Sequence, residues 1–213
     1  MTKTFFGAEF RIVCWEAKME QEQWYWIAEF PDLGNDPVDV LINKMSSENL
    51  ETRWKAAWAL GHFNDKRAVK PLIEGLQYSD PTCETSDCED LNNISAWALG
   101  RIKDERAVEP LIQALSHEKY LLKTISAWAL AEIGDKRAIE SLKEALKTDE
   151  FAIAWEGSLP YAEGDDNPAI WRVGCFIDRY IIYKDSVSPI IRALLKIGVK
   201  QEEIDQIINQ ARG

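Results

Sequence analysis

Trp58, Trp97 and Trp128 each stand between two alanines and ahead of a leucine, in Ala57-Trp58-Ala59-Leu60, Ala96-Trp97-Ala98-Leu99 and Ala127-Trp128-Ala129-Leu130. Trp54 lies one helical turn before Trp58, and Arg53 and Arg101 flank the first two copies. Indole faces take up flat or cationic groups and guanidinium ions take up carboxylates, so these residue types, repeated along a chain, could build a binding surface. The other constellations are poorer in chemistry. Cys83 and Cys88 share the acidic stretch Asp80 to Asp90, but no second Cys pair or His pair is at hand to complete a zinc set, and no metal site is expected. Cys14 and Cys175 lack recognisable catalytic neighbours and read as reduced, buried thiols. With no Gly-rich phosphate loop, no Ser elbow and no carboxylate pair at a telling spacing, no catalytic residue is assigned.

The elements that must position the indoles are themselves repeated. After each Trp segment comes a turn and a second apolar segment: Asp65-Lys66-Arg67-Ala68-Val69, then Asp104-Glu105-Arg106-Ala107-Val108, then Asp135-Lys136-Arg137-Ala138-Ile139. Trp128 follows Trp97 by 31 residues, and the step from Trp58 to Trp97 is 39, so one unit carries an eight-residue insertion. Each copy reads as two helices about a tight turn, the first rich in Ala and Leu. Gly61 and Gly100 are expected near the first helix's end as cheap left-handed caps, and Asp65, Asp104 and Asp135 as N-terminal caps of the second.

The same spacing reaches outward. Val38, Leu41 and Ile42 precede Val69, Leu72 and Ile73 by 31 residues, so Pro37 to Lys44 reads as a second helix, with Gln23 to Phe30 a degenerate first helix before it. Pro189-Ile190-Ile191-Arg192-Ala193-Leu194 repeats Pro110-Leu111-Ile112-Gln113-Ala114-Leu115, and Lys200 to Arg212 puts Ile204, Ile207, Ile208 and Ala211 on one stripe. The expected organisation is one elongated domain over residues 1–213. It comprises an atypical N-terminal cap (1–36), regular repeats (37–147), an irregular insertion (148–168), and a last repeat with a C-terminal capping helix (169–213). Thr4 to Trp15 is expected to be irregular or a short hairpin. Phe151 to Pro168 is either a connecting loop or part of a site, since insertions in repeat proteins gather on one face.

Helix geometry gives the indoles a direction. At 100° per residue, with Leu60 set toward the core, Ala56, Ala57 and Phe63 share its face and Trp58 falls about 160° away. The same holds for Trp97 against Leu99 and Trp128 against Leu130. Two readings follow: an exposed ladder of Trp54, Trp58, Trp97 and Trp128 that binds a partner, with Arg53 and Arg101 beside it, or indoles covered from within the chain, by its Trp-rich start or by a crowded neighbouring unit.

Arg53-x-x-Ala56-Ala57-x-Ala59-Leu60-Gly61, followed by Asp65-x-Arg67-Ala68-Val69-x-Pro71-Leu72-Ile73, resembles the HEAT-like repeat first associated with phycobilisome lyases. The likeness covers roughly Pro37 to Lys147, with a weaker copy near the C-terminus. It implies an all-α, right-handed α-solenoid of about five helical pairs, with atypical N- and C-terminal caps. Within that family the heterodimeric bilin lyases carry a unit similar to Arg53-Trp54-Lys55-Ala56-Ala57-Trp58, then a longer polar loop, where Asp80 to Leu91 stands here. Two functions are therefore carried forward. One is a binding scaffold that recognises a protein partner through the aromatic surface. The other is a subunit of a heterodimeric bilin lyase, with a bilin as ligand and a phycobiliprotein and a second HEAT-like subunit as partners. HEAT-repeat hydroxylases with two irons use several His-Glu pairs, whereas this chain has only His117-Glu118, and that chemistry is excluded.

Composition bounds the rest. The formal charge is −11, from 25 Lys and Arg against 36 Asp and Glu, which argues against nucleic acid. No apolar run has the length of a membrane span and no basic-then-apolar start marks export, so a cytoplasmic protein without membrane insertion is expected.

Overall fold

A computed structural model describes residues 36–79, 87–149 and 188–212. Among the described residues the chain forms nine α-helices and no strand: α1 (Pro37–Lys44), α2 (Leu50–Phe63), α3 (Val69–Leu76), α4 (Asp87–Ile102), α5 (Val108–Ala114), α6 (Tyr120–Ile133), α7 (Ile139–Lys147), α8 (Pro189–Ile197) and α9 (Gln201–Arg212). The expectations for Thr4 to Trp15, Gln23 to Phe30, Asp80 to Ser86 and Phe151 to Pro168, and for all four cysteine side chains, fall outside the described residues.

The helices form an all-α solenoid of two layers. α2, α4, α6 and α8 lie side by side in the first layer, and α1, α3, α5 and α7 each pack in the second against the first-layer helix that follows. The first layer is tight because its contact residues are small. Ala57, Ala59, Ala96, Ala98, Ala127 and Ala129 are all buried, and short side chains let helix axes approach toward the ~8 Å end of the usual range. Leu60, Leu99 and Leu130 fill the space between the layers, opposite Leu72, Leu111 and Leu142 of the second.

Each first-layer helix stops in the same way. The N–H groups of Asn64, Lys103, Gly134 and Gly198 donate to the carbonyls of Leu60, Leu99, Leu130 and Leu194 at 3.1, 3.1, 2.9 and 3.1 Å, and all four residues are left-handed, with φ of 55°, 55°, 77° and 106°. Gly61 and Gly100, expected as caps, instead lie within α2 and α4. They are glycine because the next helix leaves no room for a side chain. A Cβ on Gly61 would stand 2.5 Å from the Trp97 ring, and one on Gly100 only 2.7 Å from Ala129 Cα.

The turns do what their aspartates predict. Asp65, Asp104 and Asp135 accept from the N–H groups of Arg67, Arg106 and Arg137 at 2.8, 3.0 and 2.9 Å, capping the 3-10 turns that lead into α3, α5 and α7. The same arginines then clasp the preceding unit. Arg67 donates to Asp36 at 2.7 Å and Asp39 at 2.9 Å, and Arg106 donates to the Lys66 carbonyl at 3.0 Å. Asn92 Nδ2 donates to the Gly75, Leu76 and Tyr78 carbonyls, closing the end of α3 from within α4.

The C-terminal end departs from expectation. The likeness of Pro189–Leu194 to Pro110–Leu115 predicts a second-layer helix, whereas α8 packs on α6 and α7 as a first-layer helix, and α9 takes the second-layer place beside α7 with Ile204 fully buried. Proline in the first turn suits any helix, so that match located a helix start and not a layer. The register that decides is the left-handed cap: Gly198 follows Leu194 by four residues, as Gly134 follows Leu130.

Candidate functional site

The indoles do not form an exposed ladder. Trp54, Trp58 and Trp97 are 7, 5 and 7% exposed, and Trp128 is half-buried. The sequence reading kept both exposure and cover open for their side of the helix, and a first-layer helix has neighbours on both flanks as well as a second layer beneath. In α2 every residue from Ala56 to Gly61 is buried, the mark of a helix packed nearly all round. Trp54, Trp58 and Trp97 are buried, and the neighbouring unit supplies the ring that stacks on Trp58.

That packing has a definite geometry. Trp58 of α2 and Trp97 of α4 stack with ring centroids 4.4 Å apart and planes 13° from parallel. The Trp97 ring then lies against Gly61, three residues on from Trp58, and the Trp128 ring lies against Gly100 in the same way. Each indole thus fills the notch that a glycine opens in the preceding unit, at a gain of the order of 2–3 kcal/mol for burying so large a side chain.

His62 completes the cluster, and the sequence reading passed it over as a site residue. Its ring meets Trp58 edge-on at 5.2 Å and Trp97 at 5.1 Å, and its Nε2 is buried without a hydrogen-bond partner. Burial, with the Arg101 guanidinium as a lesser cause, pushes its pKa down to about 4, so at neutral pH it is an uncharged ring between two indoles. The signal was available: His62 lies four residues after Trp58, where helix geometry sets it on the same face. The equivalent positions in later units are Arg101, Glu132 and Lys196.

The remaining predicted residues scatter. Arg101 is exposed, with its guanidinium 5.8 Å from the Trp97 ring centroid. Arg53, at the N-terminal end of α2, lies 4.4 Å over the Tyr78 ring, and Lys55 pairs with Glu51 at 2.9 Å while facing Trp54. The structure therefore brings Trp58, Trp97, Arg101 and His62 together. Arg53, with Tyr78, and Trp128, over Gly100, stand apart from them.

Among the described residues no three His, Cys, Asp or Glu side chains gather as a metal set, and no helix is long and apolar enough to cross a membrane. The cluster lies where α2 packs against α4.

Comparison with known proteins agrees with the fold. The family model for HEAT repeats matches residues 25–86 and 83–156. Among solved structures, the complex of CpcE and CpcF of phycocyanin lyase from Nostoc sp. PCC7120 is similar at 21% identity and a TM-score of 0.48, over 82% of this chain and 63% of that one. The chain thus spans less than two thirds of that protein's length. No curated protein matches.

Proposed function

Because this chain belongs to the HEAT-repeat family, we propose that it is a binding scaffold that holds a protein partner on its outward side chains. One observation carries this reading. Most positions that are alike from unit to unit are buried, the clasping arginines Arg67, Arg106 and Arg137 excepted, and several that differ are exposed. Ala57, Ala96 and Ala127, or Leu72, Leu111 and Leu142, are equivalent, identical and buried. Lys66, Glu105 and Lys136 are equivalent, unlike and exposed, as are Lys70, Glu109 and Glu140. A repeated interior with an individual exterior supports recognition of a particular shape and charge, which is how solenoids use their extended surfaces.

The test is capture of the native partner by tagged protein, with cross-links mapped by mass spectrometry. Cross-links through Lys66, Lys70 and Lys136 are expected, and catalytic turnover by the isolated chain with no retained partner would overturn the reading.

A second reading, a bilin lyase subunit, is supported by the likeness of Arg53–Trp58 and of the interrupting polar segment to those lyases. Arg53, resting on Tyr78, is the cation placed to meet a propionate. Its test is a visible-absorbance titration with phycocyanobilin, alone and with a second HEAT-like subunit. A saturable spectral change lost in Arg53→Ala would put this reading first.

A further inference from the structure

At the edge of the solenoid where first-layer helices turn into second-layer helices, the capping aspartates are more buried than the cations beside them, although Asp36, Asp39 and Glu109 stay exposed beside Arg67 and Arg137. In the turn after α2, Lys66 is 72% exposed, whereas Asp104 of the next turn, which it approaches at 3.8 Å, is 8% exposed. Lys103 and Arg106 are both more than half exposed, whereas Glu132, the partner of Lys103, is 19% exposed. Arg137 repeats the arrangement over Asp135. The causes are local: the aspartates are drawn in to cap the 3-10 turns, and Arg101 and Lys103 sit at the C-terminal end of α4, where the dipole favours them. The consequence is general. A chain of formal charge −11 shows cations along one edge, with Glu105 the exposed acid among those three turns.

Two of these cations are uncommitted. Among the described residues no carboxylate pairs with Arg101 or Lys136, and both are exposed. Arg101 is held over Trp97 and faces outward beside neutral His62, so no carboxylate of the seam satisfies it.

From this edge we infer that the partner presents an acidic, extended segment that runs across the turns of successive units. The inference rests on the scaffold reading and names the chemistry of its partner. First-layer axes lie about 8–10 Å apart, and a chain in the polyproline II conformation advances about 3.1 Å per residue with three residues per turn, so every third residue of such a segment lies on one face and meets a new turn. Asp or Glu at that spacing would find Lys66, then Arg101, Lys103 and Arg106, then Lys136 and Arg137. Recognition of acidic segments by basic clusters is an established mode, and it is screened by salt.

The probe is a fluorescein-labelled ten-residue peptide with Glu at every third position, followed by anisotropy at low and physiological salt. A Lys peptide of the same pattern and a labelled single-stranded RNA serve as competitors. The acidic peptide is expected to bind, to weaken as salt rises, and to lose at least tenfold in affinity in Arg101→Glu/Lys136→Glu at unchanged melting temperature. Lys44→Glu, exposed at the C-terminal end of α1 and away from these turns, should bind as the parent does. Equal binding by the double variant, preference for the basic peptide, or tighter binding of RNA would each overturn the inference. Capture of a native partner whose cross-links avoid this edge would also overturn it while leaving the scaffold reading intact.

Discussion

The seam between α2 and α4 and the seam between α6 and α8 join equivalent helices by opposite means. The first uses stacked indoles, an uncharged His62 and a glycine notch, with no carboxylate in the cluster. In the second, Ala131 stands where Gly61 and Gly100 stood, Arg192 takes the register position of the tryptophans, and Lys196 pairs with Glu132. Glycine recurs where the next helix brings an indole and is absent where it does not. The backbone register is constant, and each seam is decided by one large side chain and the space left for it.

The largest effect that would sharpen the contrast is Trp97→Ala. It removes one face of the stack and the ring over Gly61, and a loss of about 4 kcal/mol is expected from truncation of a buried Trp. Trp128→Ala, where the ring is half-buried and outside the stack, should cost clearly less. Urea unfolding followed by far-UV circular dichroism measures both, and equal losses would break the comparison. Gly100→Ala comes next. Its Cβ would meet backbone at Ala129, which cannot swing aside, and a loss of roughly 2–3 kcal/mol is expected from overpacking despite alanine's better helix propensity. The reverse change at the other seam, Ala131→Gly, should cost only about 1 kcal/mol by propensity. If Gly100→Ala proved neutral in the same unfolding assay, the glycine notch would not be what sets the seam.

Much of this fold was legible because repetition compares the chain with itself. The spacing from Val38 to Val69 placed α1, and the recurring aspartates placed the turns, both by local rules that the structure leaves intact. The direction of Trp58 was not legible, since a helical wheel ranks faces but does not say how many of them have neighbours. In a solenoid's inner helix nearly all do. Gly61 was misread for a related reason: a cap and a close approach both call for glycine, and only the position of Asn64 three residues later separates them. The likeness of Pro189–Leu194 to Pro110–Leu115 located the start of α8 but not its layer, because proline begins helices in either layer, whereas Gly198 carried the register. Of the candidate site, the residue types were readable and their use was not. His62 became part of it only through contacts across two helices.

A smaller effect separates the seams by pH. His62 has a folded pKa of about 4 against 6.5 as its ordinary value, so between these values the unfolded chain binds a proton that the folded chain refuses. Stability then rises with pH across the window. It is complete above about 6.5 and is lost as pH falls toward 4, by roughly 2 kcal/mol. His62→Gln should flatten the dependence of the urea midpoint over pH 4 to 6.5, and a slope kept by that variant would sink the assignment. At the other seam, burial pushes the Glu132 carboxyl up, but its bonds from Lys103 and Lys196 outweigh this and hold it below its ordinary value. Its contribution is therefore present above the ordinary carboxylate range and lost only in more acid solution, as pH falls through the lowered value. Glu132→Gln should cost less than about 1 kcal/mol at neutral pH, because both lysines are about half exposed and water competes for them. That loss should shrink further in 1 M salt, whereas the effect of His62→Gln should not, because a desolvated neutral ring has no ion pair to screen. A salt-insensitive Glu132→Gln would mean that the carboxylate holds its seam by packing, and the two seams would then differ less in kind than their side chains suggest.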